Sequence, residues 1–175
     1  LSFNIERLPV IYARPVGFEI YKPNNPQVAG QTKARIRAKL NNQSDYYANE
    51  VHLRWITDDD MGVVADSDKW NEKMGAKSFY TIGTMEPRQV IERGWRPDLP
   101  SGAENLYKQG KVFKLLLYVS WIDREKNKHE FLSESELKYD KEVDVYLFEV
   151  TRTADSFSNK EELDSILKNW EKSIT

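Results

Sequence analysis

The chain of 175 residues contains no cysteine, and this absence excludes disulfide bonds, thiolate metal sites and a cysteine nucleophile. Long apolar runs are also missing. The longest, residues 115–119, has the length of a strand, whereas a helix that crosses a bilayer needs roughly 18 apolar residues. Neither sign of charge dominates, since 26 basic and 28 acidic residues give a formal net charge of -2. We therefore expect neither direct membrane insertion of this sequence nor the positive field of a nucleic-acid-binding domain.

Signatures of catalysis are scarce as well. No serine lies in a Gly-x-Ser-x-Gly elbow, and no glycine-rich phosphate loop follows a predicted strand. The two histidines, His52 and His129, do not have the spacing of a zinc-binding pair. Glu134 and Glu136 could act as acid and base in a hydrolase, but such pairs arise by chance among 28 acidic residues. The sequence therefore predicts a protein that is not an enzyme and that needs no organic cofactor.

A pattern of period two is what the sequence does contain. Residues 33–40 alternate between basic and apolar side chains, and residues 51–55 alternate between apolar and polar ones. A period of two indicates a strand with one buried and one solvated face. Two such strands around a polar connection predict an antiparallel pair that forms one half of a β-sandwich.

Other segments extend this pattern to about eight or nine strands, which is typical of a sandwich. The first 23 residues predict two short strands broken by Pro9 and Pro15. Residues 112–122 predict a strand that is apolar on both faces, and the glycines and prolines of residues 94–102 predict a long loop. We expect residues 1–156 to form an all-β, antiparallel sandwich domain.

The C-terminal segment, residues 157–175, predicts an α-helix. Ser158 or Asn159 provides the N-cap, and apolar residues recur at helical spacing up to Trp170. We expect this apolar stripe to pack on the outer face of the 112–122 strand, because that strand offers a matching apolar surface. The alternative is a helix that docks on another chain.

One part of the chain resembles a known family. The alternating strand ends in Leu40-Asn41-Asn42, and Ala48-Asn49-Glu50-Val51 opens the next strand after a polar bend. Later, Met85-Glu86-Pro87 and Gln89-Val90-Ile91 have the form of a proline-bearing bend before a strand. These residues resemble the immunoglobulin-like, cell-adhesion-related domains of bacteria and archaea. The resemblance implies an immunoglobulin-like fold and a role in binding or spacing, and it implies no catalytic residues.

A basic stripe is the first candidate for a binding surface. Lys33, Arg35, Arg37 and Lys39 share one face of a predicted strand, and Arg54 lies on the next alternating strand. Cations on one face can bind an anionic glycan, phosphate groups or an acidic protein, so Arg35, Arg37 and Arg54 are candidate partner-binding residues. Alternatively, the stripe pairs across strands with acids, for which the candidates are Glu142, Asp144 and Glu149.

Two tryptophans in predicted loops are the second candidate. Trp70 lies in a polar, irregular stretch, and Trp95 lies between Arg93 and Arg96 in the predicted loop. Exposed aromatic rings form platforms for sugars and anchors for protein partners, so both tryptophans are candidate partner-binding residues. The alternative is that each ring folds over the end of the core.

An acidic loop is the third candidate. Its aspartates could provide the hard oxygen ligands that calcium prefers, although their spacing does not match an EF-hand. The candidate calcium ligands are Asp58, Asp60, Asp66 and Asp68. The alternative is a solvated turn, since aspartate is favoured in turns for its backbone geometry.

Asn42-Gln43-Ser44 fits the acceptor pattern for N-glycosylation. It lies at the bend after the alternating strand, and it would matter only in a host that has the glycosylation machinery.

The leading hypothesis is a non-enzymatic binding or structural module with a protein or glycan partner. We expect it to act outside the cytoplasm or tethered to a membrane through a segment beyond the given sequence. The alternative is a carbohydrate- or calcium-binding accessory module of a larger enzyme, with Trp70, Trp95 and the acidic loop at one end of the sandwich.

Overall fold

The structure, a computed structural model, describes residues 8–22, 32–57, 79–99 and 102–172. In these ranges the chain forms nine strands and two helices. In chain order, the elements are β1 (Ile11–Tyr21), β2 (Thr32–Asn42), β3 (Ala48–Thr57), β4 (Phe79–Met85), β5 (Val90–Trp95), β6 (Asp98–Leu99), α1 (Ala103–Lys108), β7 (Phe113–Ile122), β8 (Lys128–Asp140), β9 (Val145–Asp155) and α2 (Lys160–Lys172).

The strands form two antiparallel sheets. The small sheet has the order β1-β2-β5, with β6 also paired to β2, and the large sheet has the order β4-β3-β7-β8-β9. The inner faces of both sheets contribute to one apolar core, in which Ile36 and Leu40 of the small sheet join Leu53 and Leu117 of the large sheet. The prediction of an all-β, two-sheet fold with a C-terminal helix is therefore confirmed.

The predicted pairing of the two alternating strands is wrong. β2 pairs with β1, β5 and β6, whereas β3 pairs with β4 and β7 in the other sheet. The polar connection between β2 and β3 therefore crosses from one sheet to the other, as it does in sandwiches with strands that switch sheets. Both strands keep the faces that their period predicts, because a core-facing row is needed in either sheet.

β1 continues where a break between two short strands was predicted at Pro15; residues 1–7, where the first predicted strand would begin, lie outside the described residues. β1 runs through Pro15, and its pairing with β2 shifts register between Pro15 and Gly17. β1 lies at the edge of the small sheet, where a proline removes no necessary hydrogen bond. The bulge thus accommodates the proline without ending the strand.

The predicted long loop at 94–102 is wrong for four of its residues, and residues 100–101 lie outside the described residues. β5 continues to Trp95, and Asp98–Leu99 forms the short strand β6 beside β2. Gly102 then adopts a left-handed conformation with φ 85 just before α1. This conformation, which glycine adopts at little cost, turns the chain into the helix.

The helix α2 covers the outer face of the large sheet. Leu163, Ile166 and Trp170 pack on an apolar patch, of which Leu116 is fully buried. The apolar stripe of α2 therefore packs on the outer face of β7, the strand on which it was predicted to pack. In the part of the chain described, no helix combines the length and the apolar composition needed to span a membrane.

Candidate functional site

The basic stripe of β2 is the outer face of the small sheet. Ala34, Ile36, Ala38 and Leu40 point into the core and are fully buried. The residues between them point outward because side chains alternate along a strand. We call this surface the basic face; its cations are Arg14, Lys33, Arg35, Arg37 and Lys39.

Two cations of the basic face lie directly opposite each other. The register of β1 and β2 pairs Arg14 with Lys39, and on the other side of Lys39 the register of β5 provides Glu92. Like charges that face each other across strands destabilise a sheet. One carboxylate beside two cations leaves an excess of positive charge at this point of an open sheet surface.

Arg35, one of the two arginines predicted on this strand face, has an acidic neighbour on β1. Its Nη1 lies 3.9 Å from Glu19 Oε2, and its guanidinium carbon lies 5.4 Å from the centre of the Tyr21 ring. The ion pair is long and both side chains are well exposed, so it contributes little to stability. The guanidinium therefore has donors that remain accessible to a ligand.

Arg37 lies across the neighbouring strand β1. A Cβ atom added to Gly17 would lie 2.7 Å from Arg37 Nη2, so any larger residue at this position would displace the guanidinium. Glycine thus allows the arginine to lie flat on the sheet. This contact holds the charge close to the surface of the basic face.

The acids expected to pair with the stripe are not its neighbours. Glu142, Asp144 and Glu149 belong to β9 or to the turn before it, in the large sheet. Acids on the positions of the basic face come from the adjoining strands β1, β5 and β6: Glu19, Glu92 and Asp98. By register, the face has five basic and three acidic positions, which gives it a positive excess.

Arg54 does not belong to this surface. It lies on β3, where the register places it opposite Tyr118 on the outer face of the large sheet. The outer faces of the two sheets are on opposite sides of the sandwich. The structure therefore brings Arg35 and Arg37 together and separates Arg54 from them.

The two candidate tryptophans have different outcomes. Trp95 ends β5 and is 2% exposed, with its ring centre 6.1 Å from that of Trp55. It is a core residue and offers no surface platform, as the alternative interpretation predicted. Trp70 lies outside the described residues.

The proposed calcium ligands Asp58, Asp60, Asp66 and Asp68 also lie outside the described residues. Within the ranges that the structure does describe, no group of three or more histidine, aspartate or glutamate residues is placed to hold a metal ion.

Asn42, the acceptor residue of the glycosylation pattern, is fully buried. Its Nδ2 donates hydrogen bonds to the carbonyl oxygens of Tyr46 at 2.8 Å and of Glu86 at 3.0 Å, and its Oδ1 accepts from the Ser44 hydroxyl at 2.7 Å. An amide used in this way cannot carry a glycan in the folded domain. Its role is to join the bend after β2 to the turn after β4.

A buried contact between Asp123 and His129 in the β7–β8 hairpin was not predicted. His129 Nε2 lies 2.7 Å from Asp123 Oδ2, and both side chains are nearly inaccessible. Asp123 Oδ1 also accepts the backbone N–H groups of Glu125 and Asn127. Burial raises the pKa of the Asp123 carboxyl, but the hydrogen bonds from His129, Asn127 and Glu125 outweigh it, so the pKa lies below its ordinary value of 3.8. The pair closes the hairpin, and the His129 ring stacks on Phe157 at 4.8 Å.

Glu134 is a second partly buried carboxylate, and it connects the large sheet to α2. Its Oε2 accepts hydrogen bonds from Arg152 Nη2 at 2.8 Å and from Trp170 Nε1 at 3.1 Å. Burial raises the pKa of Glu134, but the hydrogen bonds from Arg152 and Trp170 bring it below its usual value. Glu134 therefore has a structural role in docking the helix.

A cleft of about 680 Å³ lies between the end of α1 and the β8–β9 hairpin. Its walls combine aromatic, basic and acidic side chains, among them Tyr139, Phe148, Lys138, Lys141, Asp140 and Glu142. Lys108 lies over the Tyr139 ring, with Nζ 5.6 Å from the ring centre. This size is that of a small-molecule site, with an apolar side and several polar groups.

Comparisons with known proteins found no protein family that matches the chain, and no significant match among curated proteins or solved structures.

Proposed function

We propose that this protein is a non-enzymatic binding module and that the basic face binds an acidic partner. The observation that carries the proposal is the direct opposition of Arg14 and Lys39 on an open sheet surface. Such an arrangement costs stability in the free protein, and an anion bound between the two side chains removes that cost. A flat, charged sheet face supports binding in preference to catalysis, because small-molecule chemistry requires a concave site.

The spacing of the cations favours an extended polyanion as the partner. Alternate residues of a strand are separated by roughly 6.7 Å, so the four cations of β2 form a line of evenly spaced charges. An anionic glycan presents carboxylate or sulfate groups along a chain in the same manner. Guanidinium groups such as those of Arg35 and Arg37 bind these groups through paired hydrogen bonds.

The test is a binding titration with a sulfated polysaccharide, at several salt concentrations. We expect the Arg35→Glu/Lys39→Glu variant to bind at least about tenfold more weakly than the original chain, and the difference to shrink as salt rises. Arg54→Glu is the matched control, because it reverses one arginine on the opposite side of the sandwich. Equal binding by all three proteins would exclude the basic face, and binding of polyglutamate alone would indicate an acidic protein partner.

The same proposal includes an immunoglobulin-like fold of the kind found in cell-adhesion-related domains. It is supported by the contact between the two bends that carry the resemblance. Asn42 donates to the Glu86 carbonyl, and the Arg88 side chain lies 2.8 Å from Asp45 Oδ1. An experimental structure, with its strand order compared against that family, tests this part.

We also propose that the module acts outside the cytoplasm or tethered to a membrane. A sandwich without cysteine that binds an anionic glycan is suited to a surface where such glycans occur. The test is the parent gene: a hydrophobic span before residue 1 or after residue 175 is expected, together with recovery of the product in a surface or membrane fraction.

A second candidate function is carbohydrate binding as an accessory module of a larger enzyme. The cleft beside α1 favours it, since Tyr139 and Phe148 provide rings for the apolar face of a sugar and Asp140 and Glu142 provide hydrogen-bond acceptors. Titration with neutral oligosaccharides tests this, with Tyr139→Ala expected to abolish binding and Tyr47→Ala, an exposed tyrosine outside the cleft, expected to leave it unchanged.

A further inference from the structure

β9 is an edge strand of the large sheet. Over its 11 residues it pairs with β8 on one side, and no other strand of the described ranges lies on its other side. The backbone groups on that side are available for pairing with another strand. β9 also contains neither proline nor lysine, the residues that commonly protect an edge.

The edge of β9 is unusually apolar. Half of the large apolar side chains that are exposed in the described part of the chain lie between residues 143 and 150. They are Val143, Val145, Leu147 and Val150, of which Leu147 is 54% exposed. Exposed apolar side chains gathered on one strand and the turn before it indicate a surface that another protein covers.

The other sheet edges have protective features that β9 lacks. β1 contains Pro15, β5 has only 6 residues, and β4 has 7 residues and contains Gly83 at φ 87. Short strands and proline hinder the addition of a strand. β9 shares the bulge of β1, but it is longer than β4 and β5 and contains no proline. β9 is therefore the edge best suited to pairing.

We infer that β9 pairs antiparallel with β9 of a second copy of this chain, joining two large sheets of five strands into one continuous sheet. A two-fold axis makes the same strand serve as both partners. The charges select the register: Glu149 of each copy lies opposite Arg152 of the other. The proposal concerns a different surface from the basic face and does not depend on it.

The charges around Glu149 support this register. The pairing of β8 and β9 places Glu149 opposite Glu136, and Lys138 is shared between them at 3.0 and 3.6 Å. Glu149 therefore has a like charge beside it, which an arginine from a second copy offsets. In the pair of strands, the row set by the register is Glu136 and Glu149 of one copy followed by Arg152 and Glu134 of the other, so that the arginine lies between carboxylates on both sides.

The irregularity in β9 explains how the two charges share a face. Residues two apart in a regular strand share a face, but Glu149 and Arg152 are three apart. The register runs from Glu136 opposite Glu149 to Glu134 opposite Arg152, so Thr151 is an extra residue. The Thr151 hydroxyl donates to the Glu134 carbonyl oxygen at 3.1 Å. The bulge thus returns Arg152 to the outer face, on the same side as Glu149.

The first test measures the mass of the full chain in solution by sedimentation equilibrium over a wide range of concentration. We expect a monomer–dimer equilibrium. Leu147→Lys should raise the dissociation constant at least about tenfold, because it puts a charge in the apolar part of the interface. Val90→Lys is the matched control, since Val90 is 46% exposed on a different strand, and it should leave the equilibrium unchanged. Thermal melts verify that both variants fold.

The second test uses charge reversal to verify the register. Glu149→Arg alone and Arg152→Glu alone should each be monomeric, because each places like charges opposite each other across the two-fold axis. A mixture of the two variants should form a heterodimer, since both cross-strand pairs are then of opposite sign.

Several outcomes would overturn the inference. One is a chain that stays monomeric at the highest concentration, which would leave the edge to an extended segment of a different protein. Another is a dimer that Leu147→Lys does not weaken. A mixture of the two reversed variants that stays monomeric would reject the register.

Discussion

The outer faces of the two sheets differ in what they leave exposed. The small sheet presents a row of cations to solvent, whereas the large sheet presents an apolar patch that α2 covers. The difference originates in two strands. β2 alternates strictly between buried and outward residues, while β7 buries Leu115, Leu116 and Leu117 in succession. A strand that is apolar on both faces requires a second layer, and a strand that is apolar on one face does not.

The two faces also treat charge differently. The large sheet holds Glu134 partly buried between Arg152 and Trp170, whereas the cations of the small sheet stay near solvent with few acids beside them. Charged side chains beneath a helix are paired within the fold, because an unpaired buried charge destabilises the folded state. Charges on an open face remain accessible to a ligand. Four substitutions test this contrast, from the largest expected effect to the smallest.

Leu163→Ala should have the largest effect on stability. Leu163 is fully buried between α2 and the large sheet, so its truncation leaves a cavity. We expect the free energy of unfolding to fall by about 3 kcal/mol, as measured by chemical denaturation. Ser165→Ala on the exposed side of the helix is the control and should change it little. An equal effect of both substitutions would mean that the helix does not depend on this contact.

Asp123→Asn should lower the free energy of unfolding by about 2 kcal/mol at neutral pH, because it removes a buried carboxylate that accepts hydrogen bonds from His129, Glu125 and Asn127. The folded pKa of Asp123 lies below 3.8, so its contribution is present above that value and is lost as pH falls through the folded pKa. The difference in the free energy of unfolding between the two proteins should therefore shrink as the pH falls below about 4. Denaturation at a series of pH values measures it, and a difference that grows on acidification would contradict the assignment.

Asn42→Ala should lower the free energy of unfolding by about 1.5 kcal/mol, because it leaves the carbonyl oxygens of Tyr46 and Glu86 without their hydrogen-bond donor. The neighbouring residue Asn41 provides the control, since Asn41→Ala changes an amide on the outer side of β2. The small sheet therefore also depends on a buried polar residue, Asn42 at the end of β2, although its outer face is solvated. In this respect the two sheets do not differ. Equal melting temperatures of the two variants would contradict this prediction.

Lys39→Gln should have the smallest effect on the free energy of unfolding, and it should raise it where the other three substitutions lower it. Removing one of the two cations that face each other should stabilise the free protein by about 0.3 kcal/mol at low ionic strength. The gain should disappear in high salt, because salt screens charges on an open surface. Thermal melts at two salt concentrations measure this. A loss of stability would show that the Glu92 contact outweighs the repulsion from Arg14.

Part of the candidate site could be read from residue order alone. Arg35 and Arg37 share a face because they are two apart in a strand, and no tertiary information is needed for that. Arg54 could not be excluded in the same way, since its strand has the same period but belongs to the other sheet. Trp95 looked like a loop residue because Pro97 and Pro100 follow it, and its burial depends on the facing ring of Trp55.

The sequence by itself determined which side of each strand is buried and where the last helix carries its apolar stripe. Both properties are periodic, and the spacing of apolar residues along a segment indicates which of its faces is buried. The tertiary structure alone decided that β2 and β3 belong to different sheets, that Arg14 lies opposite Lys39 and that Asp123 is paired with His129. Strand partners and buried pairs depend on the packing of distant segments against each other, and hydrophobic period contains no information on which strand lies beside which.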